Sequence, residues 1–262
     1  GFSMRMMKKV LGTVTVLALS VSLLAGCGST AASPVSSAAS TAAESTTSSV
    51  ASKTTSAAAD ENAAAAAQLL NDLTGSYQEL WPVILADEYQ QTWLDDCTAL
   101  VGEENAEAAF EKLSSMVTSN VYGEDAVKAY ANGGVAYFCG FTNNLATLTF
   151  DGKTSTISGT DKDGNALFSH TYHYIGMEPV RGLYEFESDD TDSGEFTYFF
   201  LAPDTSAETY HIEFRYGSDA DALSQYDAGD YAYWVASGIS TDCDQTMIDN
   251  CIELFCTENL AG

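Results

Sequence analysis

Between residues 135 and 216 the apolar periodicity of the chain is two. Short runs at 135–141, 145–150, 153–158, 166–175, 182–188, 195–201 and 208–216 are separated by turn-forming pairs such as Asn143-Asn144, Asp151-Gly152 and Asp163-Gly164. Successive side chains of an extended strand point to opposite faces, so each run can bury one face and solvate the other. Asparagine, aspartate and glycine tolerate the backbone conformations of tight hairpins. Many short antiparallel strands in hairpin succession predict a barrel or a sandwich.

The most regular run is Thr209-Tyr210-His211-Ile212-Glu213-Phe214-Arg215-Tyr216-Gly217. Tyr210, Ile212, Phe214 and Tyr216 share one face; Thr209, His211, Glu213 and Arg215 share the other. An imidazole and a carboxylate two residues apart on one strand face are placed as two ligands of one metal ion would be. The same polar row also suits the solvated side of a sheet.

Helices flank the meander. Leu85, Tyr89, Trp93, Cys97 and Val101 recur at four-residue steps, as do Phe110, Leu113 and Val117 roughly after a break at Gly102-Glu103. These stripes read as core, and Cys97 as packing. Past the meander, 219–226 reads as a short helix. Asp242 with Gln245 reads as a capping box before an amphipathic helix carrying Met247, Ile248, Cys251, Ile252 and Phe255.

The first residues read as a secretory signal. Arg5, Lys8 and Lys9 precede an apolar run from Val10 to Leu24, and Leu24-Ala25-Gly26-Cys27 resembles the lipobox of bacterial lipoproteins, in which Cys27 carries the lipid. Residues 1–27 are therefore assigned to a lipoprotein signal peptide and 28–67 to a Ser/Ala/Thr-rich flexible tether. Such a tether buries too little apolar surface to offset the entropy of ordering it. The folded domain is placed at 68–262, the size of one domain with one core. Export in this form implies an extracytoplasmic protein anchored at the outer face of the bacterial cell membrane.

Loss of the signal removes three basic residues and no acidic ones, taking the formal charge from −27 to −30. A field of that sign repels nucleic acid and anionic membrane surfaces and attracts cations. Cys97, Cys139, Cys243, Cys251 and Cys256 are an odd number, with no C-x-x-C or C-x-x-H pair. A zinc knuckle or thioredoxin-like site is thereby disfavoured, and a disulfide is left open as to its pair. No G-x-S-x-G, H-E-x-x-H or phosphate-binding glycine loop occurs, so the sequence points to a binding protein rather than an enzyme.

Two acidic stretches invite a calcium assignment. Asp161-Lys162-Asp163-Gly164-Asn165 has its glycine at the fourth position and no closing glutamate, so it reads as a hairpin turn rather than an EF-hand loop. Glu187-Ser188-Asp189-Asp190-Thr191-Asp192 reads as a solvated hairpin loop.

With helices, meander, a His-x-Glu strand and a closing helix in view, the domain resembles the ZinT (YodA) family. Five pieces carry the resemblance in order: Leu73-Thr74-Gly75-Ser76-Tyr77-Gln78-Glu79-Leu80-Trp81-Pro82, Arg181 to Glu187, Ala202-Pro203, His211 to Gly217, and Tyr231-Ala232-Tyr233-Trp234. The resemblance implies a mainly β fold with α, a calycin-like antiparallel β-barrel with N-terminal helices and a C-terminal helix. It implies zinc, held in that family mainly by three histidines. His211 matches the first of a His-x-His pair, Glu213 stands in place of the second, and Phe199 occupies the family's other histidine position. His170, His173, Glu185 and Glu187 are candidate further donors. The implied function is to bind zinc or a similar divalent metal and to pass it to a metal uptake system, such as a metal ABC transporter component. The alternatives are a metal-free barrel binding a small apolar or aromatic ligand at a mouth lined by Phe199 and Phe200, and a surface interaction module.

Overall fold

The computed structural model describes residues 62–203 and 211–262. The signal peptide, Cys27, most of the tether and Thr209 and Tyr210 lie outside the described residues. Eight strands, β1 (Gly75–Glu79), β2 (Thr147–Asp151), β3 (Thr156–Thr160), β4 (Ala166–Met177), β5 (Tyr184–Ser188), β6 (Tyr198–Leu201), β7 (His211–Gly217) and β8 (Ala236–Ser240), form one closed barrel in sequence order. Every neighbouring pair is antiparallel, including the closing pair of β1 with β8. This is the mainly β, calycin-like architecture: eight strands give an interior just wide enough for side chains to fill. Tyr77, Leu148, Phe150, Ile157, Phe186, Phe199, Phe214 and Tyr216 fill it, none more than 1% exposed.

The helices are α1 (62–72), α2 (Leu80–Ile84), α3 (Gln90–Val101), α4 (Glu103–Ser115), α5 (Glu124–Ala129), α6 (Ala220–Leu223) and α7 (Gln245–Leu260). Residues 62–67, given to the tether by composition, begin α1, and Ala66, Leu69 and Leu70 of that helix join the barrel core. A second core lies outside the barrel, where α2, α3, α4 and α7 pack through Trp81, Trp93, Leu113, Ile252 and Phe255 against Ile239 of β8. Trp81 is 4.7 Å from Phe255, Trp93 is 5.5 Å from Phe110, and the Trp93 indole donates to Ile84 O at 2.7 Å. The α3 stripe therefore packs as its spacing predicts, and α3 ends where Gly102 takes a φ of 86°. Among the described residues no helix is long and apolar enough to cross a membrane.

Three expectations change. Residues 135–141 form no strand: Phe138 makes single bridges to Thr118 and Trp234, and Val235 and Ser237 donate to the carbonyls of Phe138 and Cys139. Strands β1 and β8 were absent from the alternating runs. In β8, Ala-Ser-Gly-Ile-Ser carries almost no β-branched or aromatic residues, and a Cβ on Gly238 would come within 3.1 Å of Ile212 and 3.3 Å of Gln78 O. The helix α7 is capped by Asp244 and not Asp242: its carboxylate accepts from Met247 N at 2.9 Å, whereas Asp242 N donates back to Ser240 Oγ. Asp244→Ala is expected to cost about 1 kcal/mol and Asp242→Ala less than about 0.5 kcal/mol, as read from urea unfolding midpoints.

Candidate metal centre

Strand β7 keeps its alternation. Ile212, Phe214 and Tyr216 enter the barrel core, and His211 and Glu213 face outward, half-buried. The outer face is not solvated. His211 lies opposite Ile239 and Glu213 opposite Ser237; directly opposed residues of an antiparallel pair share a face, and Ile239 belongs to the helical core. The His211 ring meets Phe255 of α7 edge-on at 5.6 Å. Glu213 borders a cavity of about 20 Å³ walled also by Trp81, Phe255, Glu258 and Asn259, room for one water or one small ion. Trp81 brings a buried indole N–H that has no hydrogen-bond partner among the described residues. Burial, and after it the Glu213 carboxylate, push the Cys139 thiol up to about 12 and raise Cys251 as well. These neighbouring sulfurs stay protonated at neutral pH.

Arg215, placed by alternation on the polar row, is fully buried. Its Nε donates to Trp234 O at 3.0 Å and its Nη1 to Gln225 O at 3.0 Å, with further bonds to Leu223 O and Tyr231 O. The guanidinium carbon sits 4.3 Å from the Tyr226 ring centre. Burial lowers its pKa to about 10, so it keeps its charge at neutral pH.

Phe199 pairs with Tyr216 and therefore points into the barrel, away from His211 and Glu213. Its ring is fully buried, 5.3 Å from Tyr216, 5.5 Å from Tyr172 and 5.7 Å from Phe168. Phe200, its neighbour in the strand, faces the other way and is equally buried. The two therefore cannot line one mouth, and the interior space expected for an apolar ligand at these residues is taken by side chains.

The three-donor group among the described residues lies elsewhere. His170, Asp190 and Asp192 bring one ligand atom each to within 4.8 Å of one another. His170 lies opposite Ile157 and so belongs to the inward row of β4 with Phe168 and Tyr172, at the barrel rim. Its side chain is only 14% exposed, and its Nδ1 lies 2.7 Å from Asp190 Oδ2. An ion held by both residues would take the place of the proton shared between His170 Nδ1 and Asp190 Oδ2. The loop after β5 is pinned beneath it: the buried Ser188 hydroxyl accepts from Asp190 N at 3.1 Å and from Ser193 Oγ at 2.7 Å.

On the outward row of the same strand, His173 Nδ1 lies 2.6 Å from Asp189 Oδ1, and its Nε2 lies 3.7 Å from Glu187 Oε2. Hydrogen bonds from Thr171 and His173 lower the Asp189 pKa. Glu185 is raised by burial and sits apart from both histidines, facing Phe200. Asp161 accepts from the backbone N–H of Asp163 and Asn165, each at 2.9 Å, as the hairpin-turn reading predicts.

The acidic hexapeptide and the two histidines are all visible in the sequence, but their conjunction is not. It depends on the β4–β5 register, which shifts at a bulge between Tyr174 and Gly176 before setting His173 opposite Glu187. Had the hairpin been paired first, that register would have been the signal.

No protein-family model matches the chain, and no curated protein matches it. Among solved structures it is similar to Zn(II)-bound AdcA from Streptococcus pneumoniae, at 15% identity and a TM-score of 0.41 over 71% of this chain and 35% of that one. It is similar also to the Zn(II)-bound ZinT-like domain of AdcA from Streptococcus pneumoniae, at 14% identity and a TM-score of 0.45 over 70% of this chain and 89% of that domain.

Proposed function

We propose that the protein is a lipid-anchored extracytoplasmic binder of a divalent transition metal, with zinc the first choice, that passes its metal to an uptake system in the same membrane. The observation that carries the metal reading is the set of His170, Asp190 and Asp192 at the barrel rim. One imidazole and two carboxylates make an N/O donor set that suits zinc, and three protein ligands leave a position open for exchange. The donors sit where a barrel meets solvent, so the ion can enter and leave without the fold opening. An acidic surface raises the local cation concentration. Cys27 supplies the anchor and the Ser/Ala/Thr-rich segment the reach toward a membrane transporter.

His211 and Glu213 form the second locus, supported by the sequence resemblance and by Glu258 and Asn259 across the small cavity. Zinc titration calorimetry of the purified protein separates the two. About one equivalent is expected to bind, with affinity reduced at least about tenfold in His170→Ala and unchanged in His211→Ala. Loss of binding in His211→Ala alone moves the centre to β7, and binding that neither variant alters overturns both assignments.

A further inference from the structure

Cys97 of α3 and Cys256 of α7 bring their sulfurs to 3.9 Å. Both residues are fully buried in the helical core. From this contact we infer that Cys97 and Cys256 form a disulfide that staples α3 to α7 when the chain folds outside the cytoplasm. The inference rests on the export reading and is independent of the metal reading.

Geometry, position and chemistry agree. A disulfide holds its sulfurs at about 2.05 Å, so the pair must close by just under about 2 Å, a distance that χ1 adjustments and a small slide of two packed helices can cover. Helices α3 and α7 lie at opposite ends of the chain, 159 residues apart at these positions, and every barrel strand after β1 lies between them in sequence. A link there restricts the unfolded chain over nearly its whole folded length. One bridge at this pair leaves Cys139, Cys243 and Cys251 as single thiols, which accommodates the odd count.

Burial also sets when the bond forms. Removal from water raises the pKa of both thiols, and the close approach of the two sulfurs raises Cys256 further. Neither is a thiolate, nor reachable by an oxidant, once α3 and α7 have docked. The bond therefore forms during folding, by exchange with a disulfide-bearing oxidant of the thiol–disulfide oxidoreductase or glutathione-disulfide class. One thiolate attacks a sulfur of the oxidant, giving a mixed disulfide and releasing one oxidant thiol. The second thiolate then displaces the other oxidant thiol. Two protons and two electrons leave the protein, the Cys97–Cys256 bond forms, and the oxidant departs as its dithiol or as two thiols. Docking of the helices then shields the bond from reductant.

The test is to unfold and reduce the purified full-length protein, refold it in a reduced/oxidised glutathione mixture or in dithiothreitol, then alkylate in denaturant and map peptides by mass spectrometry. The glutathione sample is expected to lose two alkylated cysteines relative to the reduced one, to yield a peptide pair joining Cys97 to Cys256, and to melt about 10 °C higher. Cys256→Ala is expected to abolish both the link and the difference in melting. If all thiols alkylate after glutathione refolding, or the linked pair includes Cys139, Cys243 or Cys251, the inference is overturned. The peptide map of the unmutated protein decides this even where the variant fails to fold.

Discussion

Arg215→Met is expected to destabilise the protein by about 4 kcal/mol, since each buried acceptor left unsatisfied costs about 1–3 kcal/mol and local rearrangement recovers part of the total. The guanidinium ties together the carbonyls of Leu223, Gln225, Tyr231 and Trp234. These carbonyls lie on the segment from α6 into β8, which has little regular structure of its own. Methionine fills a similar volume and offers no donor. The loss spreads further, because Tyr226 stands against both Arg215 and Arg181, its ring centre 4.3 Å and 4.4 Å from the two guanidinium carbons. The Tyr226 hydroxyl donates in turn to the fully buried Glu178 at 2.9 Å. Arg215→Lys keeps the charge but not the planar five-donor fork, so it is expected to recover less than half of the loss. Urea unfolding followed by far-ultraviolet circular dichroism checks both. A cost below about 1 kcal/mol for Arg215→Met would mean that water or other donors satisfy those carbonyls in its place.

Phe199→His is expected to weaken the fold and add no zinc affinity. By the sequence resemblance, this change restores a histidine to a ligand position. By the strand register, it places an imidazole inside the barrel, against Phe168, Tyr172 and Tyr216 and on the opposite face from His211 and Glu213. Burying a polar ring there without a partner, and losing the aromatic packing, is expected to cost about 3 kcal/mol. Calorimetry on the folded variant is expected to return the parent's zinc affinity. A gain of about tenfold or more would show that this stretch of β6 turns toward β7's outer row, against the register described here.

Alternation in the sequence carried most of the barrel. Six of the seven alternating runs overlap a strand, and the hairpin order became the order of the barrel. Strand β8 was silent because Ala236 to Ser240 offers no side-chain pattern: it is held by partners on both sides rather than by its own propensity. Alternation also assigned His211, Glu213 and Arg215 correctly to one face, but a period of two says nothing of what covers that face. The cover is α7, from the far end of the chain, together with the segment that Arg215 itself gathers, and both are matters of tertiary packing. The rim cluster was hidden for a related reason. His170 and Asp190 are each unremarkable where they stand, and twenty residues of hairpin with a bulge must be folded before they meet. The sequence resemblance directed attention to β7, whereas the geometry gathers three donors where β4 meets the loop after β5.

The most direct test is X-ray diffraction at the zinc absorption edge on crystals of the protein grown with about one equivalent of zinc. The strongest anomalous peak is expected at the barrel rim, about 2.0–2.2 Å from a ring nitrogen of His170 and from carboxylate oxygens of Asp190 and Asp192. A peak between β7 and α7, beside His211 and Glu213, or no protein-bound peak at all, would contradict the assignment of the metal centre to the rim.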